Sequence, residues 1–259
     1  MSAELVVLGS GALEPAAGEA VRLPAGCAVR LDARILLFDL GFGCLRQLAR
    51  AGLDACAVTD AFFTHRHPDH VGDLPALIFH LNYVRPPRGG VLRVHGPRGF
   101  ASFVERLTRA HHPWLRPRGW RLQVRELEEP ARAQGRGFIV LGREVPHTTE
   151  AMAYRLECPA GTFCCTGDTG PDEGLAAFAR DADLLLIECS QADGPAAARR
   201  AQGHLTVSQA LAIARAARAR RTLLTHLSPD SERALGRVRL RRGAEFLARD
   251  LLRMPLSRP

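Results

Sequence analysis

Four metal-ligand side chains lie within six consecutive residues of the sequence, in the segment HRHPDH. His65 and His67 are two residues apart, so on an extended chain their side chains project to the same side. Pro68 then forces a turn, which carries Asp69 and His70 round to a second position. A single zinc ion needs about four ligands, and a catalytic one keeps a position open for water. This density of ligands favours a pair of metal ions about 3.5–4 Å apart over the alternative, a polar surface loop.

The rest of such a site would have to come from isolated residues elsewhere, and three of them each follow an apolar, strand-like segment. His147 follows FIVLGREVP, Asp168 follows GTFCCTG and His226 follows RTLLT. Each residue alone has an ordinary explanation as a capping aspartate or a surface histidine. Loops at the ends of successive strands build the sites of layered α/β folds. We therefore predict that these residues complete a metal site with the HRHPDH segment.

The pattern of apolar segments predicts a layered α/β fold. Strands come first as hairpins and then alternate with helices, in both halves of the sequence. Hairpins are predicted over 28–31 and 35–39 and around 159–161, and the tail over 231–254 reads as mostly helical. We expect a four-layer αββα sandwich of two mixed β-sheets flanked by helices, formed by a single domain over residues 1–259.

Composition indicates a globular protein of a reducing compartment. With 46% hydrophobic residues among 259, the chain can bury a full core. Neither a leader sequence nor an apolar run of membrane-spanning length is visible, so we expect a cytoplasmic protein without a membrane partner. Seven scattered cysteines without a CxxC pair argue against a disulfide framework and against structural zinc. Cys165 and Cys189, which adjoin candidate motifs, are expected to be buried apolar groups.

A net charge of +8 raises the hypothesis of a nucleic-acid partner. All the basic residues are arginine, however, which is also what a biased coding genome produces. The segment from Arg85 to Arg136 holds twelve arginines, with Trp114 and Trp120 among them. This segment is either a basic face for an anionic substrate or a consequence of composition, and the sequence leaves both interpretations open.

Several motifs, in order along nearly the whole chain, resemble those of the metallo-β-lactamase superfamily: THRHPDH, VPHTTEAMAYRLE, TGDTG and LLTHLSP. LGSGALEP, LLFDLGFG and GHLT resemble more particularly its ribonuclease Z and phosphodiesterase-like branch. The resemblance implies a hydrolase with two metal ions. The implied ligands are His65, His67 and His147 for one ion, Asp69, His70 and His226 for the other, and Asp168 as a bridge between them.

The implied cofactors are two zinc ions, with manganese as an alternative. A histidine at position 67 favours zinc over the diiron members of the superfamily, which carry glutamate there. Two divalent ions lower the pKa of a shared water to about 7 and polarise the scissile ester. Asp69 would then orient the resulting hydroxide or accept its proton.

The resemblance also implies an acid for the leaving group. In the ribonuclease Z-like branch a strand-end glutamate and a histidine that follows it protonate the leaving group, and here LLLIECS offers Glu188 and GHLT offers His204. A histidine with a carboxylate partner suits general-acid catalysis near neutral pH. The ordinary alternatives are a solvated loop carboxylate and a loop histidine before a helix. Asp39 is expected to support the loop below the metals by hydrogen bonds rather than to bind a metal.

The spacing of two motifs bears on the substrate. Ribonuclease Z enzymes that process tRNA carry a long arm between the third-histidine motif and the bridging aspartate. Here a segment of hairpin length separates His147 from Asp168. We therefore predict a dinuclear zinc phosphodiesterase that acts on a small or nucleotide-like phosphodiester.

Other functions stay open at this point. One alternative is hydrolysis of a thioester, aryl sulfate or lactone, and another is ribonuclease Z-like cleavage of RNA. A non-catalytic relative that binds nucleic acid is the least favoured, because such a protein has no need of a complete ligand set. Relatives often dimerise, so a homodimer is a further expectation, although the sequence indicates no interface.

Overall fold

Two mixed β-sheets of seven strands each lie at the centre of the computed structural model, which describes residues 2–13, 22–194 and 203–256. The sheets face one another across an apolar layer, and helices cover their outer faces. This arrangement confirms the predicted four-layer αββα sandwich. No described helix combines the length and the apolar character needed to cross a bilayer.

The first sheet joins an antiparallel half to a parallel half. Its strands are β1 (Ala3–Gly9), β2 (Gly26–Leu31), β3 (Arg34–Leu40), β4 (Val58–Phe62), β5 (Val91–Pro97), β6 (Arg121–Leu127) and β14 (Arg253–Pro255). In the order β14-β1-β2-β3-β4-β5-β6, pairing is antiparallel from β14 to β3 and parallel from β3 to β6. Strand β4 ends just before the HRHPDH segment.

The second sheet has the same mixed character. Its strands are β7 (Ala131–Gly135), β8 (Phe138–Glu144), β9 (Met152–Cys158), β10 (Gly161–Cys165), β11 (Leu184–Glu188), β12 (Thr222–Thr225) and β13 (Glu245–Leu247). Pairing is parallel from β13 through β12 and β11 to β10, and antiparallel from β10 through β9 and β8 to β7. Strands β8, β10, β11 and β12 therefore run in one direction, and their carboxyl ends meet at one edge of the sheet.

The helices pack on the outer faces of the two sheets. Those on the first sheet are α1 (Cys44–Arg50), α2 (Pro68–Val71), α3 (Leu74–Tyr83) and α4 (Phe100–Ala110), with a 3₁₀ turn at Ala55–Ala57. Those on the second are α5 (Leu175–Phe178), α6 (Val207–Ala216) and α7 (Pro229–Leu235). Helix α6 begins with a capping box, in which Thr206 and Gln209 each accept a hydrogen bond from the backbone N–H of the other. This cap fixes where the helix begins.

Aromatic side chains hold the two sheets against one another. Side chains alternate along β4, so Ala61 lies under the helices whereas Phe62 lies between the sheets. The ring of Phe62 stacks on that of Phe38 with centroids 5.2 Å apart, and Phe38 meets Phe163 of the opposite sheet at 5.3 Å. These contacts keep the carboxyl ends of strands from both sheets side by side.

The structure confirms the two predicted hairpins and corrects the predicted tail. Strands β2–β3 and β9–β10 form the hairpins. The tail over 231–254 is not mostly helical, because α7 ends at Leu235 and is followed by β13 and β14. Gly236 and Gly243 interrupt the helical pattern, and the segments beyond them complete sheet edges by pairing with β12 and β1. Edge pairing here outweighs helix propensity.

Replacing Tyr154 by phenylalanine is expected to lower the free energy of unfolding by about 1–2 kcal/mol, because the buried Phe63 carbonyl would lose a hydrogen-bond donor. The fully buried Tyr154 hydroxyl donates to that carbonyl at 2.8 Å, just before the HRHPDH segment. Urea unfolding at neutral pH measures the change. Tyr83, with an exposed ring, is the control, and Tyr83→Phe is expected to change stability by less than about 0.5 kcal/mol. Equal stability of Tyr154→Phe and the parent protein would contradict the prediction.

Candidate metal centre

The ligand-type side chains predicted from the sequence meet at one edge of the two facing sheets. His65 follows β4, while His147, Asp168 and His226 follow β8, β10 and β12, and Glu188 is the last residue of β11. These residues are distant in sequence but come together because the carboxyl ends of their strands share that edge.

The first group consists of His65, His67, His147 and Asp168, which offer ligand atoms within 4.8 Å of one another. His147 Nε2 lies 3.2 Å from His67 Nδ1. Asp168 Oδ2 lies 3.9 Å from His65 Nε2 and 3.7 Å from His147 Nε2. Burial lowers the pKa of His65 and of His147. Both imidazoles are therefore neutral, which is the form that binds a metal.

The second group consists of Asp69, His70 and His226, gathered within the same 4.8 Å. Asp69 Oδ2 lies 3.5 Å from His226 Nε2 and 3.8 Å from His70 Nε2. Asp168 reaches this group through its other oxygen, with Oδ1 at 3.3 Å from His70 Nε2 and 3.4 Å from His226 Nδ1. The two oxygens of one carboxylate thus face two different groups of histidines.

Three buried imidazole nitrogens of these groups have no hydrogen-bond partner among the described residues: His65 Nε2, His70 Nε2 and His226 Nδ1. Leaving a buried polar atom without a partner costs about 1–3 kcal/mol. Cations coordinated by the two groups would satisfy these atoms, and imidazole with carboxylate is a suitable donor set for a divalent transition metal. The residues present therefore fit a divalent metal centre.

Asp39 supports the first candidate ligands through hydrogen bonds. Its Oδ2 accepts hydrogen bonds from His70 Nδ1 and from the Thr64 hydroxyl, both at 2.8 Å, and its Oδ1 accepts the Thr64 backbone N–H at 2.8 Å. The Thr64 oxygen in turn lies 3.0 Å from His65 Nδ1 and accepts its proton. The Nδ1 atoms of both histidines are therefore engaged, which leaves the Nε2 atom of each facing Asp168 at the centre. Asp39 acts as the sequence predicts, by hydrogen bonds to the ligand loop.

His204 and Glu188 form a hydrogen-bonded pair beside the two groups. His204 Nδ1 donates to Glu188 Oε1 at 2.8 Å. Glu188 is 1% exposed, and it also accepts the backbone N–H of Thr169 at 3.1 Å and of Ser190 at 3.0 Å. Burial opposes the protonation of His204, but the hydrogen bond to Glu188 outweighs it and raises the pKa of His204. The pair can therefore hold a proton beside the candidate ligands.

His204 also lies within ligand distance of the second group. Its ring centroid lies 4.7 Å from that of His147 and 5.7 Å from that of His226. Asp168, His204 and His226 form a third set of potential ligand atoms within 4.8 Å. Geometry alone thus allows His204 to be either an acid or a ligand.

The cysteines near the motifs and one further histidine lie buried in the protein. Cys165 and Cys189 are buried, as predicted, and burial raises the pKa of both thiols. Neither is therefore a ready nucleophile. His95, which the sequence leaves unassigned, lies buried with its Nε2 3.1 Å from Asp60 Oδ1 and its ring stacked on Phe62.

Part of the arginine-rich segment is engaged in ion pairs. Arg85 and Arg88 share the carboxylate of Asp54, at 2.6 and 2.8 Å. Arg109 pairs with Glu105 one helical turn away. These pairs reduce the positive charge that this segment presents to an anionic partner.

The sequence does not reveal the groups that hold the predicted residues in place. These are Thr64, Ser190 and the carbonyl of Gly203, which accepts the His147 Nδ1 proton at 2.6 Å. Each lies within two positions of a predicted residue, and that proximity is the one signal the sequence offers.

Known proteins share this architecture and sequence pattern. The family model of the beta-lactamase superfamily domain matches residues 34–227. Ribonuclease Z of Streptomyces coelicolor is 30% identical, over 98% of this chain and 98% of its own. The crystal structure of human tRNase Z, short form, has a TM-score of 0.78 at 24% identity and covers 97% of this chain and 98% of that one. A diphosphatase from the PhnP family has a TM-score of 0.77 at 20% identity, over 97% of both chains.

At these identities the two solved structures show the fold, whereas the family model and the Streptomyces relative cover enough of the chain to show its family. The chain therefore belongs to the beta-lactamase superfamily, in its ribonuclease Z-like branch, and is a metal-dependent hydrolase with the metallo-β-lactamase fold.

Proposed function

We propose that the protein is a dinuclear zinc phosphodiesterase that hydrolyses a small or nucleotide-like phosphodiester, with residues 1–259 forming one hydrolase domain. The observation that carries the proposal is the orientation of Asp168, whose two carboxylate oxygens face two separate groups of histidines. A carboxylate shared in this way suits a pair of metal ions about 3.5–4 Å apart.

The spacing of the donor atoms supports the proposed ligands. These are His65, His67 and His147 for one ion, Asp69, His70 and His226 for the other, and Asp168 for both. Two donor atoms bound to one tetrahedral zinc at about 2.0–2.1 Å lie about 3.3 Å apart. The His67–His147 nitrogens are 3.2 Å apart. The nearer Asp168 contacts, to His70 and His226, are 3.3 and 3.4 Å. The abundance of imidazole favours zinc, with manganese as the alternative.

The chain's own residues prepare the site for hydrolysis. When bound, two zinc ions supply a hydroxide nucleophile at neutral pH and neutralise charge that develops on the phosphoryl group. Burial opposes the ionisation of Asp168, but His226 and His70 hold its pKa well below the usual range, so the carboxylate stays anionic. Asp69 is also ionised, since hydrogen bonding to His226 outweighs burial and lowers its pKa. Asp69 is thus suited to orient the nucleophile or to accept its proton.

His204 is the proposed acid for the leaving group. Glu188 is buried too deeply to contact a substrate and acts through His204, because it fixes Nδ1 and leaves Nε2 for the leaving-group oxygen. A positioned general acid contributes about 10²–10⁴-fold to rate.

The segment between His147 and Asp168 supports a small substrate. In these fully described residues the chain forms the β9–β10 hairpin and no arm that could grip a tRNA. Cleavage of RNA is the second candidate function, because the chain is 30% identical to ribonuclease Z of Streptomyces coelicolor over 98% of both lengths. A cytoplasmic location and a homodimer stay predictions from the sequence.

The protein purified and dialysed with zinc is expected to bind about two zinc ions per chain and to hydrolyse bis-(p-nitrophenyl) phosphate. Asp168→Asn keeps the shape of the side chain but removes its charge. It is expected to lose at least one ion and to slow hydrolysis at least about 100-fold. Mass spectrometry of bound metals and a steady-state assay measure both effects.

Asp172→Asn is the control for metal loading, because Asp172 pairs with Arg143 at 3.0 Å outside the ligand groups. It is expected to keep both ions and the activity. A parent protein with fewer than one zinc ion per chain and no hydrolysis would refute the proposed function.

Substrate preference separates the candidate functions. A small phosphodiester is expected to have a kcat/KM at least about tenfold above that of a thioester, an aryl sulfate, a lactone or a precursor tRNA, because the hairpin offers no grip for a tRNA. Parallel assays at equal zinc loading measure the ratios. Faster cleavage of precursor tRNA would establish the second candidate function. Faster turnover of another ester class would show that the protein is not primarily a phosphodiesterase.

His204→Ala is expected to lower kcat about 10²–10³-fold for a phosphodiester with an alkoxide leaving group. For p-nitrophenolate, which departs without a proton, we expect a loss of less than about tenfold. Metal analysis decides between the two possible roles of His204, since an acid leaves zinc content unchanged whereas a ligand takes an ion with it. An equal loss on both substrates would contradict the acid role. The exposed His111 provides the control variant, His111→Ala.

A further inference from the structure

An ion pair between Arg66 and Glu150 joins the two loops that carry the first group of candidate ligands. Arg66 lies between His65 and His67, and Glu150 lies three residues after His147. The Arg66 guanidinium donates from Nε at 3.0 Å and from Nη2 at 2.6 Å to Glu150 Oε1. The pair therefore ties the loop after β4 of one sheet to the loop after β8 of the other.

The ion pair is itself held in a fixed position. Glu150 Oε2 accepts a hydrogen bond from the Thr149 hydroxyl at 2.5 Å, and the Glu150 side chain is 13% exposed. Arg66 lies across the turn that begins α4, where a Cβ on Gly99 would come within 3.4 Å of Nη1. Since contacts hold both partners, the pair constrains the two loops rather than following them.

His67 depends on this constraint more than the other histidines of the first group. His65 has an outer partner in the Thr64 hydroxyl, and His147 has one in the Gly203 carbonyl. In the part of the chain that the structure describes, the polar contact of exposed His67 is the 3.2 Å approach to His147 Nε2. Among the described residues no outer partner orients the His67 ring, so the backbone beside Arg66 sets its position.

We infer that Arg66 and Glu150 are a positioning pair that holds His67 against His147 and thereby sets the zinc affinity of the first ligand group. This inference rests on the proposed two-metal function. Neither residue belongs to the ligand groups. The positive charge of Arg66 alone repels a metal cation. Any gain in zinc affinity from Arg66 must therefore come from geometry.

Zinc titration of the metal-free protein against a chelator of known affinity tests the inference. Arg66→Met removes the guanidinium but keeps a long side chain, and it is expected to raise the dissociation constant of one zinc site about 10- to 100-fold. The direction of the change in the dissociation constant is diagnostic, because loss of a positive charge by itself would tighten zinc binding. Arg66→Lys keeps the charge and one donor, and is expected to have intermediate affinity.

Arg220→Met is the matched control. The Arg220 side chain is 33% exposed, like that of Arg66, and pairs with Asp183 at 3.3 Å. This pair lies at the amino ends of β11 and β12, on the edge opposite the metal centre. The control is expected to keep the parent's zinc affinity. Thermal unfolding of the metal-free variants separates a change in folding from a change in binding.

The outcomes distinguish this inference from the proposed function. If the parent binds two zinc ions and Arg66→Met binds them as tightly or more tightly, the positioning role is overturned alone. If the parent binds no zinc, the proposed function fails and the inference fails with it. Should Arg66→Met not fold, Arg66→Lys decides, because parental zinc affinity in that variant overturns the positioning role.

Discussion

The buried carboxylate of Asp168 is the charge on which the arrangement of the site depends. It is 2% exposed, and an ion removed from water in this way costs several kcal/mol unless opposite charge or hydrogen bonds surround it. Four imidazoles lie around it: His65 and His70 follow β4 of one sheet, whereas His147 and His226 follow strands of the other. Because this one carboxylate contacts side chains from both sheets, the site forms only when the two sheets are packed together. Its geometry depends on the aromatic contacts that hold the sheets together, and not on any single loop.

Two further buried carboxylates, one in each sheet, hold loops and histidines of the site in place. Asp39, in β3, accepts the Thr64 N–H, which follows the neighbouring strand β4, and orients His70. Glu188, at the end of β11, accepts the Thr169 N–H, which follows the neighbouring strand β10, and orients His204. In both cases a buried acid uses one oxygen or both to satisfy a loop N–H and a histidine Nδ1 together. The site therefore uses the same arrangement twice: a buried carboxylate near the end of a strand holds both the loop that follows the neighbouring strand and an imidazole.

The sequence predicts those parts of the molecule whose signal is local. HRHPDH is recognisable because its ligand-type side chains are close together in the sequence, and His147 because it follows an apolar strand. The layer order follows from the alternation of hairpins and helices. The rest depends on tertiary contacts.

Strand β7 has a weak signal in the sequence. Of its residues, Ala131 and Ala133 face the apolar layer, and two small residues do not make a clear apolar–polar alternation. The tail reads as helix until the open edges beside β12 and β1 are known. Thr64 supports His65 and Asp39 through contacts that its residue type does not signal.

Gly203 joins the proposed acid to one of the candidate metal ligands. Gly203 has a φ of +92, and a Cβ there would lie 2.8 Å from His147 Nδ1, so a side chain at this position would collide with a candidate ligand. The close approach lets the Gly203 carbonyl accept the His147 Nδ1 proton at 2.6 Å, and the next residue is His204. One peptide unit therefore lies between a proposed zinc ligand and the proposed acid. A displacement of His204 moves the acceptor that orients His147, so the proposed acid and the first group of candidate ligands cannot shift independently.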